Sequence, residues 1–361
     1  MSKILIVLPS LGAGGAERVV THLLNHFTPN KYEIYLVLLR EPGEFINDIP
    51  KEIKLINLNG IRTRYVVKGL LDTINKIKPD IIFSTLRGVS VILSFLRPFI
   101  SQDTYFIYRE ENTASTSIQS QGGIYKYFYN WYYKNIYKKA TQIICQSKFM
   151  QTDLIETYNI PNEKLIKIYN PVDFQKIENS INHAYNPYPD SDKKNILIVG
   201  RLTYQKGIDN VIESINNNKE KFIQNKFHLN ILGDGELLTE YKNMVDKYEL
   251  NQMITFHGKQ SNPYMWMKYC DLFLLPSRFE GLPNVLLEAL ACGCNTIVTN
   301  HPGGTKELME IVGREDNVVE ELTWDKSWLN ESSTIDINGL KKIFDVNIIT
   351  SKYEEIFDKY L

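Results

Sequence analysis

The fold is decided by one stretch of the sequence, Asp271-Leu272-Phe273-Leu274-Leu275-Pro276-Ser277-Arg278-Phe279-Glu280-Gly281-Leu282-Pro283-Asn284-Val285-Leu286-Leu287-Glu288. Its first apolar run predicts a buried strand, and the segment after Pro283 predicts a helix that begins where a loop ends. Glu280 would then lie in the loop at the carboxyl end of a strand, and Glu288 inside the following helix. In an open parallel sheet, ligands bind at that edge, and the exposed amides of a helix start attract phosphate. We expect the two carboxylates, eight positions apart, to hold opposite ends of one elongated ligand.

The same alternation of a short apolar run and a helix-like stretch recurs on both sides of this segment, which is typical of β–α units and a parallel sheet. A polar, turn-rich stretch at 174–194 interrupts the pattern, which restarts at Asn195–Gly200. In the first half, strands are predicted at Ile4–Leu8, Ile34–Leu39, Ile53–Leu58, Ile81–Ser84, Tyr105–Tyr108, Gln142–Cys145 and Leu165–Ile168. After Asn195–Gly200, they are predicted at Leu229–Leu232, Ile254–His257, Leu272–Leu275 and Thr296–Thr299.

These elements predict an α/β protein with two Rossmann-like, doubly wound parallel-sheet domains that face a central cleft. The predicted first domain is 1–173, the linker is 174–194 and the second domain is 195–337. The tail 338–361 is predicted to be a terminal helix that packs back on the first domain. A chain of 361 residues is long enough for two separate cores.

Composition excludes several classes of function. The net charge of −1 gives no support to a nucleic-acid partner held by bulk charge. The N-terminal apolar run is too short for a signal peptide, and no run approaches the roughly 18 apolar residues that a spanning helix needs. The four cysteines, Cys145, Cys270, Cys292 and Cys294, do not form a disulfide framework in a chain of this length. We therefore expect structural thiols and a cytoplasmic location.

A glycine-rich loop follows the first predicted strand, in Gly12-Ala13-Gly14-Gly15-Ala16-Glu17. Glycines allow a tight turn and close approach of the backbone to a ligand, and a helix starting near Ala16 would point its N-terminus at that ligand. The spacing is not that of the dinucleotide-binding fingerprint. We interpret the loop as ligand-facing; the alternative is a simple strand-to-helix turn.

Two cations follow the first strand of the second domain, in Gly200-Arg201-Leu202-Thr203-Tyr204-Gln205-Lys206-Gly207. Arg201 offers a planar fork and Lys206 a mobile point charge, and together they would neutralise a diphosphate as it leaves. The alternative is a pair of solvated surface cations. Two further strand ends, Gly233-Asp234-Gly235 and His301-Pro302-Gly303-Gly304, could also line a pocket.

A motif that holds a divalent cation in some sugar-transfer enzymes, Asp-x-Asp, occurs as Asp190-Ser191-Asp192. It lies in the predicted linker rather than at a strand end. Because Arg201 and Lys206 can supply positive charge, we expect no metal site.

In their order along the chain, these motifs resemble a retaining glycosyltransferase of family 4, of the glycogen-synthase-like group with the two-domain GT-B architecture. The resemblance covers nearly the whole chain. It rests on Gly14-Gly15-Ala16-Glu17, Asn170-Pro171-Val172-Asp173, Gly200-Arg201-Leu202 with Lys206-Gly207, Gly233-Asp234-Gly235, and Glu280 with seven residues before Glu288.

The resemblance implies a nucleotide-sugar substrate, by family frequency a UDP-sugar, bound mainly by the second domain without a metal or other cofactor. Arg201 and Lys206 would hold the diphosphate, Glu280 would contact the transferred sugar, and Glu288 would accept hydrogen bonds from the ribose. Further donor contacts are expected from Gly14, Gly15, Gly233, Gly281, Asn284, Val285 and Leu286. The leaving phosphate itself would help to deprotonate the acceptor, so that no hydrolase-like carboxylate pair is needed.

One departure from the family concerns a first-domain histidine that many relatives carry near the reacting sugar. No histidine lies between His26 and His183 here, and the matching stretch is Tyr108-Arg109-Glu110-Glu111-Asn112. Glu110 or Glu111 would take the place of that histidine. The predicted catalytic residues are therefore Glu111, Glu280, Arg201 and Lys206. Arg109 and Asn112 would belong to the acceptor side. The alternative is a charged surface loop.

The segment 124–139, Ile-Tyr-Lys-Tyr-Phe-Tyr-Asn-Trp-Tyr-Tyr-Lys-Asn-Ile-Tyr-Lys-Lys, interleaves aromatic residues with lysines. Aromatic rings and lysine stems suit a membrane–water interface, and such contact would suit an acceptor on a lipid carrier. The alternative is a helix whose rings pack in the core.

Together these features predict an enzyme that moves a hexose or N-acetylhexosamine from a nucleotide-sugar to a glycan or polyprenyl-linked acceptor at the inner face of the plasma membrane. The expected process is the synthesis of a bacterial surface polysaccharide, an O-antigen of lipopolysaccharide or a capsule. The alternatives are a UDP-sugar 2-epimerase of the same architecture and a non-catalytic partner subunit. The presence of Arg201, Lys206, Glu280 and Glu288 together argues against the latter.

Overall fold

The computed structural model describes residues 1–12, 14–60, 63–182, 185–189, 192–329 and 335–361, with the side chains of 63–65 left aside. The described chain forms two units. The first comprises Met1–Pro171 and Phe344–Leu361, and the second comprises Val172–Ile343.

The first unit is built on a parallel sheet whose strand order is β3-β2-β1-β4-β5-β6-β7. The side chains of β1 alternate between two cores: Leu5 and Val7 face one, whereas Ile4, Ile6 and Leu8 face the other. Because both faces are covered, the strand is apolar throughout rather than alternating. The strands are β1 (Lys3–Leu8), β2 (Glu33–Leu38), β3 (Lys54–Asn57), β4 (Ile81–Ser84), β5 (Tyr105–Arg109), β6 (Gln142–Cys145) and β7 (Leu165–Lys167).

Helices cover both faces of this sheet. Their residues bury apolar stripes at the three-to-four-residue spacing of an amphipathic helix, as with Val19, Val20, Leu23 and Leu24 of the first one. They are α1 (Gly15–His26), α2 (Thr63–Ile77), α3 (Arg87–Leu96), α4 (Ala114–Gln119), α5 (Gly123–Asn135) and α6 (Lys148–Tyr158).

The second unit has a parallel sheet of order β10-β9-β8-β11-β12-β13. Its strands are β8 (Lys194–Val199), β9 (Phe227–Leu232), β10 (Ile254–Gly258), β11 (Leu272–Leu275), β12 (Thr296–Thr299) and β13 (Val318–Val319). Its helices are α7 (Phe174–Asn182), α8 (Ile208–Asn217), α9 (Lys219–Gln224), α10 (Leu238–Lys247), α11 (Pro263–Tyr269), α12 (Asn284–Ala291), α13 (Thr305–Ile311) and α14 (Ile337–Phe344).

The stretch predicted as a linker, 174–194, differs from that prediction in its first half, where α7 is a helix of the second unit. It packs against α11, and Asn262 and Lys268 donate hydrogen bonds to the carbonyl oxygens of Ser180 and Ile181 at its end, at 3.0 and 3.1 Å. The helix buries Phe174 and Ile177. A polar composition therefore hid an amphipathic helix whose apolar stripe is narrow.

The tail contains two helices rather than the single helix expected, because α14 is followed by α15 (Val346–Asp358). Helix α15 packs against α1 in the first unit. Its Glu354 carboxylate accepts hydrogen bonds from the Thr28 amide at 2.6 Å and the Thr28 hydroxyl at 2.9 Å. These contacts bind the C-terminal helix to the end of the first one.

Each sheet contains a point where the strand order reverses, between β1 and β4 in the first unit and between β8 and β11 in the second. The loops at the carboxyl ends of such strands diverge, and ligands bind in the crevice that this opens. The loops after β8 and β11 contain Lys206 and Glu280 respectively. In the described part of the chain, no helix combines the length and the apolar character needed to cross a membrane.

Candidate active site

The loop after β8 is pressed against the end of β11. Its turn Tyr204–Lys206 ends at Gly207, whose φ is +63°. A Cβ at Gly207 would lie 2.3 Å from the carbonyl oxygen of Pro276, so a larger residue would force the two loops apart. The Gln205 carbonyl accepts a hydrogen bond from the Arg278 amide at 2.7 Å. These contacts carry Lys206 to the loop that contains Glu280.

Glu280 is buried, and its carboxylate accepts hydrogen bonds from three side chains. The Lys206 ammonium donates to Oε1 at 2.6 Å, the Ser277 hydroxyl to the same oxygen at 2.7 Å, and the Gln205 amide to Oε2 at 3.1 Å. The Lys206 and Glu280 side chains are only 18% and 8% exposed. Charge-assisted hydrogen bonds of this kind fix both groups firmly. The structure thus joins two of the predicted site residues into an ion pair.

The loop after β12 contacts the backbone of Glu280 and Gly281. The Glu280 amide donates to the Pro302 carbonyl at 3.0 Å, and the Gly304 amide donates to the Gly281 carbonyl at 2.6 Å. Gly303 has a φ of +140°, and a Cβ there would lie 2.2 Å from the Glu280 carbonyl oxygen. The Gly304 amide is therefore engaged within the protein rather than offered to a substrate.

His301, in the same loop, is buried beside this network. Its ring nitrogens lie 2.7 Å from the Thr299 carbonyl oxygen and 2.8 Å from the Thr305 hydroxyl. Burial lowers the pKa of His301, although the nearby Glu280 carboxylate acts in the opposite direction. A neutral imidazole with both nitrogens engaged holds the loop in place.

The glycines of Gly233-Asp234-Gly235 are required by close packing of two strand ends. Gly233 has a φ of +136°, and a Cβ there would lie 1.9 Å from the Gly200 carbonyl oxygen. A Cβ at Gly235 would lie 2.4 Å from the Leu202 carbonyl oxygen. The loop after β9 therefore packs closely against the backbone of Gly200 and Leu202, on either side of Arg201. The Arg201 residue itself is exposed.

Helix α12 begins at Asn284 and carries Glu288 one turn later, as the sequence predicted. Glu288 is buried, and the Tyr264 hydroxyl lies 3.4 Å from its Oε1. The Leu286 amide donates to the Pro283 carbonyl at 3.1 Å, so its predicted contact with a phosphate would require that bond to break.

In the first unit, a polar cluster lies at the carboxyl ends of β4 to β7. The buried Arg109 guanidinium donates to the Thr85 hydroxyl at 2.8 Å and to the Asn170 side-chain oxygen. The Asn170 amide donates to the Gln146 side chain at 2.9 Å, and Gln146 donates to the Glu110 carbonyl at 2.7 Å. Arg109, predicted on the acceptor side, thus connects strand ends inside the unit.

The adjacent carboxyls of Glu110 and Glu111 have different environments. The Tyr133 hydroxyl lies 2.9 and 2.8 Å from the two oxygens of the buried Glu110 carboxyl, and the Arg87 guanidinium lies 3.7 Å from Oε1. Burial raises the pKa of Glu110, while Arg87 and Tyr133 act against the rise. Glu110 is therefore an internal carboxyl, in contrast to the exposed loop of the alternative interpretation.

Glu111 is half-buried beside this network. Burial raises the pKa of Glu111 to about 7; the charge of Arg87 opposes the rise and Glu110 adds to it. A carboxyl that titrates near neutral pH can either donate or accept a hydrogen bond. Of the two candidates for the family histidine's place, Glu111 is the better exposed. Asn112 uses its side-chain oxygen to accept from the Thr113 amide at 2.9 Å.

The glycine-rich loop of the first unit leads into α1, which starts at Gly15 with Gly14 as its N-cap. A Cβ at Gly14 would lie 2.2 Å from the Glu17 carboxylate, so the glycine admits this acidic side chain at the helix start. Gly15 is exposed. Ala13 lies outside the described residues.

Residues 13–176 match the model of Glycosyltransferase Family 4, and residues 185–317 match the model of Glycosyl transferases group 1. The chain is a family 4 glycosyltransferase. The sequence is 29% identical to an N-acetylgalactosaminyltransferase of Campylobacter jejuni over 85% of this chain and 83% of the relative. That enzyme is named for its acceptor, N-acetylgalactosamine-N,N'-diacetylbacillosaminyl-diphospho-undecaprenol.

This glycosyltransferase is also similar to the capsular polysaccharide biosynthesis glycosyltransferase CapM of Staphylococcus aureus, with 27% identity over 82% of this chain and 81% of CapM. Among solved structures, Anabaena HepE in complex with UDP-glucose matches with a TM-score of 0.76 and 19% identity, covering 99% of this chain and 100% of HepE. The two parallel-sheet units therefore have the GT-B fold predicted from the sequence.

Within the described residues of this glycosyltransferase, no group of three or more His, Cys, Asp or Glu side chains is arranged to hold a metal ion. Of the Asp-x-Asp motif, Asp190 and Ser191 lie outside the described residues. The four cysteines are free thiols, and burial raises the pKa of Cys294 well above its ordinary value.

Sequence reasoning missed Ser277 and Gln205 as partners of Glu280. The available signal was local, because Ser277 stands three residues before Glu280 at a strand end and Gln205 precedes Lys206. It also missed Arg87 and Tyr133, each of which contacts Glu110 from a position 23 residues away in the chain.

Proposed function

We propose that this glycosyltransferase transfers a hexose or an N-acetylhexosamine from a UDP-sugar to a lipid-linked glycan, with retention of anomeric configuration. The process would be the assembly of a surface polysaccharide such as an O-antigen or a capsule, at the cytoplasmic face of the plasma membrane. The observation that carries the proposal is the Lys206–Glu280 pair, held at the switch point of the second sheet by Ser277 and Gln205.

The position of Lys206 supports binding of a diphosphate. The Lys206 ammonium has three donors, and one of them is directed at Glu280. A diphosphate could therefore be held without breaking the ion pair. Arg201, exposed in the same loop, would add a second positive charge as the leaving group develops its own. Two such cations make a divalent metal unnecessary in the proposed reaction.

The environment of Glu280 supports retention through the leaving phosphate rather than through a covalent intermediate. A carboxylate nucleophile must move into bonding distance of the anomeric carbon, whereas the Glu280 carboxylate is held at Oε1 by Lys206 and Ser277 and at Oε2 by Gln205. Glu280 is better suited to hold sugar hydroxyls near the cation pair. The proton of the acceptor would pass to the departing phosphate on the same face of the sugar.

Relatives support the choice of donor and acceptor. The HepE structure contains UDP-glucose, and the name of the Campylobacter enzyme includes a diphospho-undecaprenol acceptor. On the acceptor side, Glu111 would orient the attacking hydroxyl, because it is the half-buried member of the carboxyl pair at the end of β5.

The first experiment tests the donor by thermal stabilisation, since a ligand that binds only the folded state raises the melting temperature with concentration. UDP-sugars are expected to stabilise the protein and GDP- and ADP-sugars are not; the reverse pattern would refute the choice of donor. Addition of EDTA is expected to leave the UDP-sugar shift unchanged.

The second experiment measures transfer to a polyprenyl-diphosphate-linked glycan, with the product's anomeric configuration read by NMR. Lys206→Met is expected to lower kcat/KM by about 10²–10³-fold, the usual effect of losing one charge-stabilising group. Lys242→Met, at an exposed position of α10, removes the same charge elsewhere and should change nothing. An inverted product, or full activity of Lys206→Met, would contradict the proposed mechanism.

A further inference from the structure

Helix α5 has two different faces, although both are aromatic. Tyr132 and Tyr133 are completely buried, and Tyr137, just beyond the helix, is 2% exposed. Five other side chains of the helix are exposed: Ile124, Tyr125, Tyr127, Phe128 and Trp131 are 79%, 65%, 76%, 39% and 49% exposed. The buried rings account for most of the core packing of the segment, and of the exposed side chains Phe128 stacks on the buried Tyr132 with ring centres 6.4 Å apart.

The exposed side chains of α5 continue onto a neighbouring element. Phe95, near the end of α3, stacks on Trp131 with ring centres 6.5 Å apart, and Phe99 follows in the next turn at 67% exposure. We name these seven residues, Ile124, Tyr125, Tyr127, Phe128, Trp131, Phe95 and Phe99, the aromatic face. They are seven of the fifteen large apolar residues that are exposed in the described chain, so the exposure is concentrated rather than scattered.

The two segments that carry the aromatic face contain basic residues but no acidic ones. Segment 123–139 contains four lysines and no acidic residue, and segment 88–100 contains Arg97 and no acidic residue, in a chain whose net charge is −1. Lys134, Lys138 and Lys139 are exposed. Positive charge beside exposed aromatic rings is complementary to an anionic surface with an apolar layer beneath it.

We propose that the aromatic face binds the surface of an anionic phospholipid bilayer, with its rings at the level of the headgroups and the lysines of 124–139 on the lipid phosphates. Trp and Tyr prefer this depth because one part of each ring system is apolar and another is polar. Binding is interfacial, since the described chain has no helix able to cross the bilayer. The inference rests on the proposed function in one respect, namely that the proposed lipid-linked acceptor lies in a bilayer surface of this kind.

The experiment is flotation of the full chain with vesicles, and it needs neither donor nor acceptor. Wild-type protein is expected to bind phosphatidylglycerol–phosphatidylethanolamine vesicles at least tenfold better than phosphatidylcholine vesicles. The double variant Ile124→Ser with Tyr127→Ser should lose at least tenfold of that binding. Tyr185→Ser is the matched control, because Tyr185 is 72% exposed on the second unit, and it should bind as the wild type does.

Charge is tested with Lys134→Glu and Lys138→Glu together, which should abolish the preference for anionic lipid. The control pair Lys242→Glu and Lys247→Glu makes the same charge change on α10 of the second unit and should preserve it. Melting curves and stabilisation by UDP should be the same in all variants, so a failure of the donor proposal would be seen separately.

Three results would overturn the proposal. One is equal flotation of the wild type and the aromatic double variant. Another is equal loss of flotation in the Tyr185→Ser control. The third is a self-association of the wild type, detected by sedimentation, that the double variant loses while vesicle binding stays unchanged, which would make the occupant a second copy of the chain.

Discussion

Removal of a single buried hydroxyl, in Tyr133→Phe, tests the structure of the first unit's carboxyl network. This hydroxyl donates to the Glu110 carboxyl, at 2.8 and 2.9 Å from its two oxygens, and accepts from Arg87 Nε at 3.0 Å. The three groups are all buried. Phe keeps the ring and its packing, so the substitution removes only the polar contacts.

The expected loss of stability follows from these contacts. A hydrogen bond to a charged group is worth about 1.5–3 kcal/mol, and a buried partner left without one adds its desolvation cost. Two charged partners lose a contact here, although Arg87 retains the Ser117 hydroxyl at 3.3 Å. We expect a loss of about 3 kcal/mol in the free energy of unfolding of the first unit. With an m-value of about 3 kcal/mol/M, the urea midpoint falls by about 1 M.

The control is Tyr158→Phe in the same cluster. Tyr158 is 1% exposed and its ring centre lies 4.8 Å from that of Tyr133, but its hydroxyl has no hydrogen-bond partner among the described residues. Removing an unsatisfied buried hydroxyl should be neutral or slightly stabilising. Urea unfolding is followed by circular dichroism, with the transition of each unit fitted separately. Equal midpoints for the two variants would refute the assignment of Glu110 as an internal carboxyl held by Tyr133.

Two further predictions concern pH and backbone packing. Because the pKa of Glu111 is raised from 4.5 to about 7 in the folded protein, its contribution to stability is fully present below pH 4.5 and is lost as the pH rises to about 7. The free energy of unfolding of the wild type, relative to that of Glu111→Gln, should therefore fall between pH 4.5 and about 7. A difference that does not change with pH would contradict the raised pKa of Glu111. Gly233→Ala should destabilise the second unit by about 4 kcal/mol, through the clash with Gly200 and a positive φ. Gly88→Ala, at an exposed position of α3 with open space at its Cβ, should stabilise the first unit by about 0.5–1 kcal/mol in urea unfolding. Equal urea midpoints for the two variants would contradict the packing argument.

The fold was predictable from the sequence wherever a strand is buried on both faces. Such strands are runs of apolar residues, so the strands predicted at Ile4–Leu8 and Leu272–Leu275 correspond to the observed Lys3–Leu8 and Leu272–Leu275. The edge strand Val318–Val319 was missed because two residues leave no pattern. Helix α7 was missed for a different reason: only Phe174 and Ile177 of its nine residues are buried, so its composition is that of a polar linker.

The site was predictable as a set of loops but not as a set of contacts. Parallel strands bring their carboxyl ends to one edge, which is why Lys206 and Glu280 could be expected near each other. Their direct pairing joins residues 74 positions apart and depends on Gly207 closing against Pro276. Nor does the sequence distinguish Glu110 from its neighbour, because the difference arises from Tyr133, which lies on another element.

The contacts of Glu280 change the interpretation of the two carboxylates from which the sequence argument began. A general base must offer a lone pair to the proton that it removes, whereas Oε1 of Glu280 already accepts hydrogen bonds from an ammonium at 2.6 Å and a hydroxyl at 2.7 Å. The same contacts make Glu280 a rigid acceptor and hold Lys206 in place for the diphosphate. Glu288, on the helix that follows, is buried, and the Tyr264 hydroxyl lies 3.4 Å from its Oε1. The pair is therefore better suited to positioning a ligand than to acid–base chemistry, and the proton transfer falls to the leaving phosphate in the reaction that we propose.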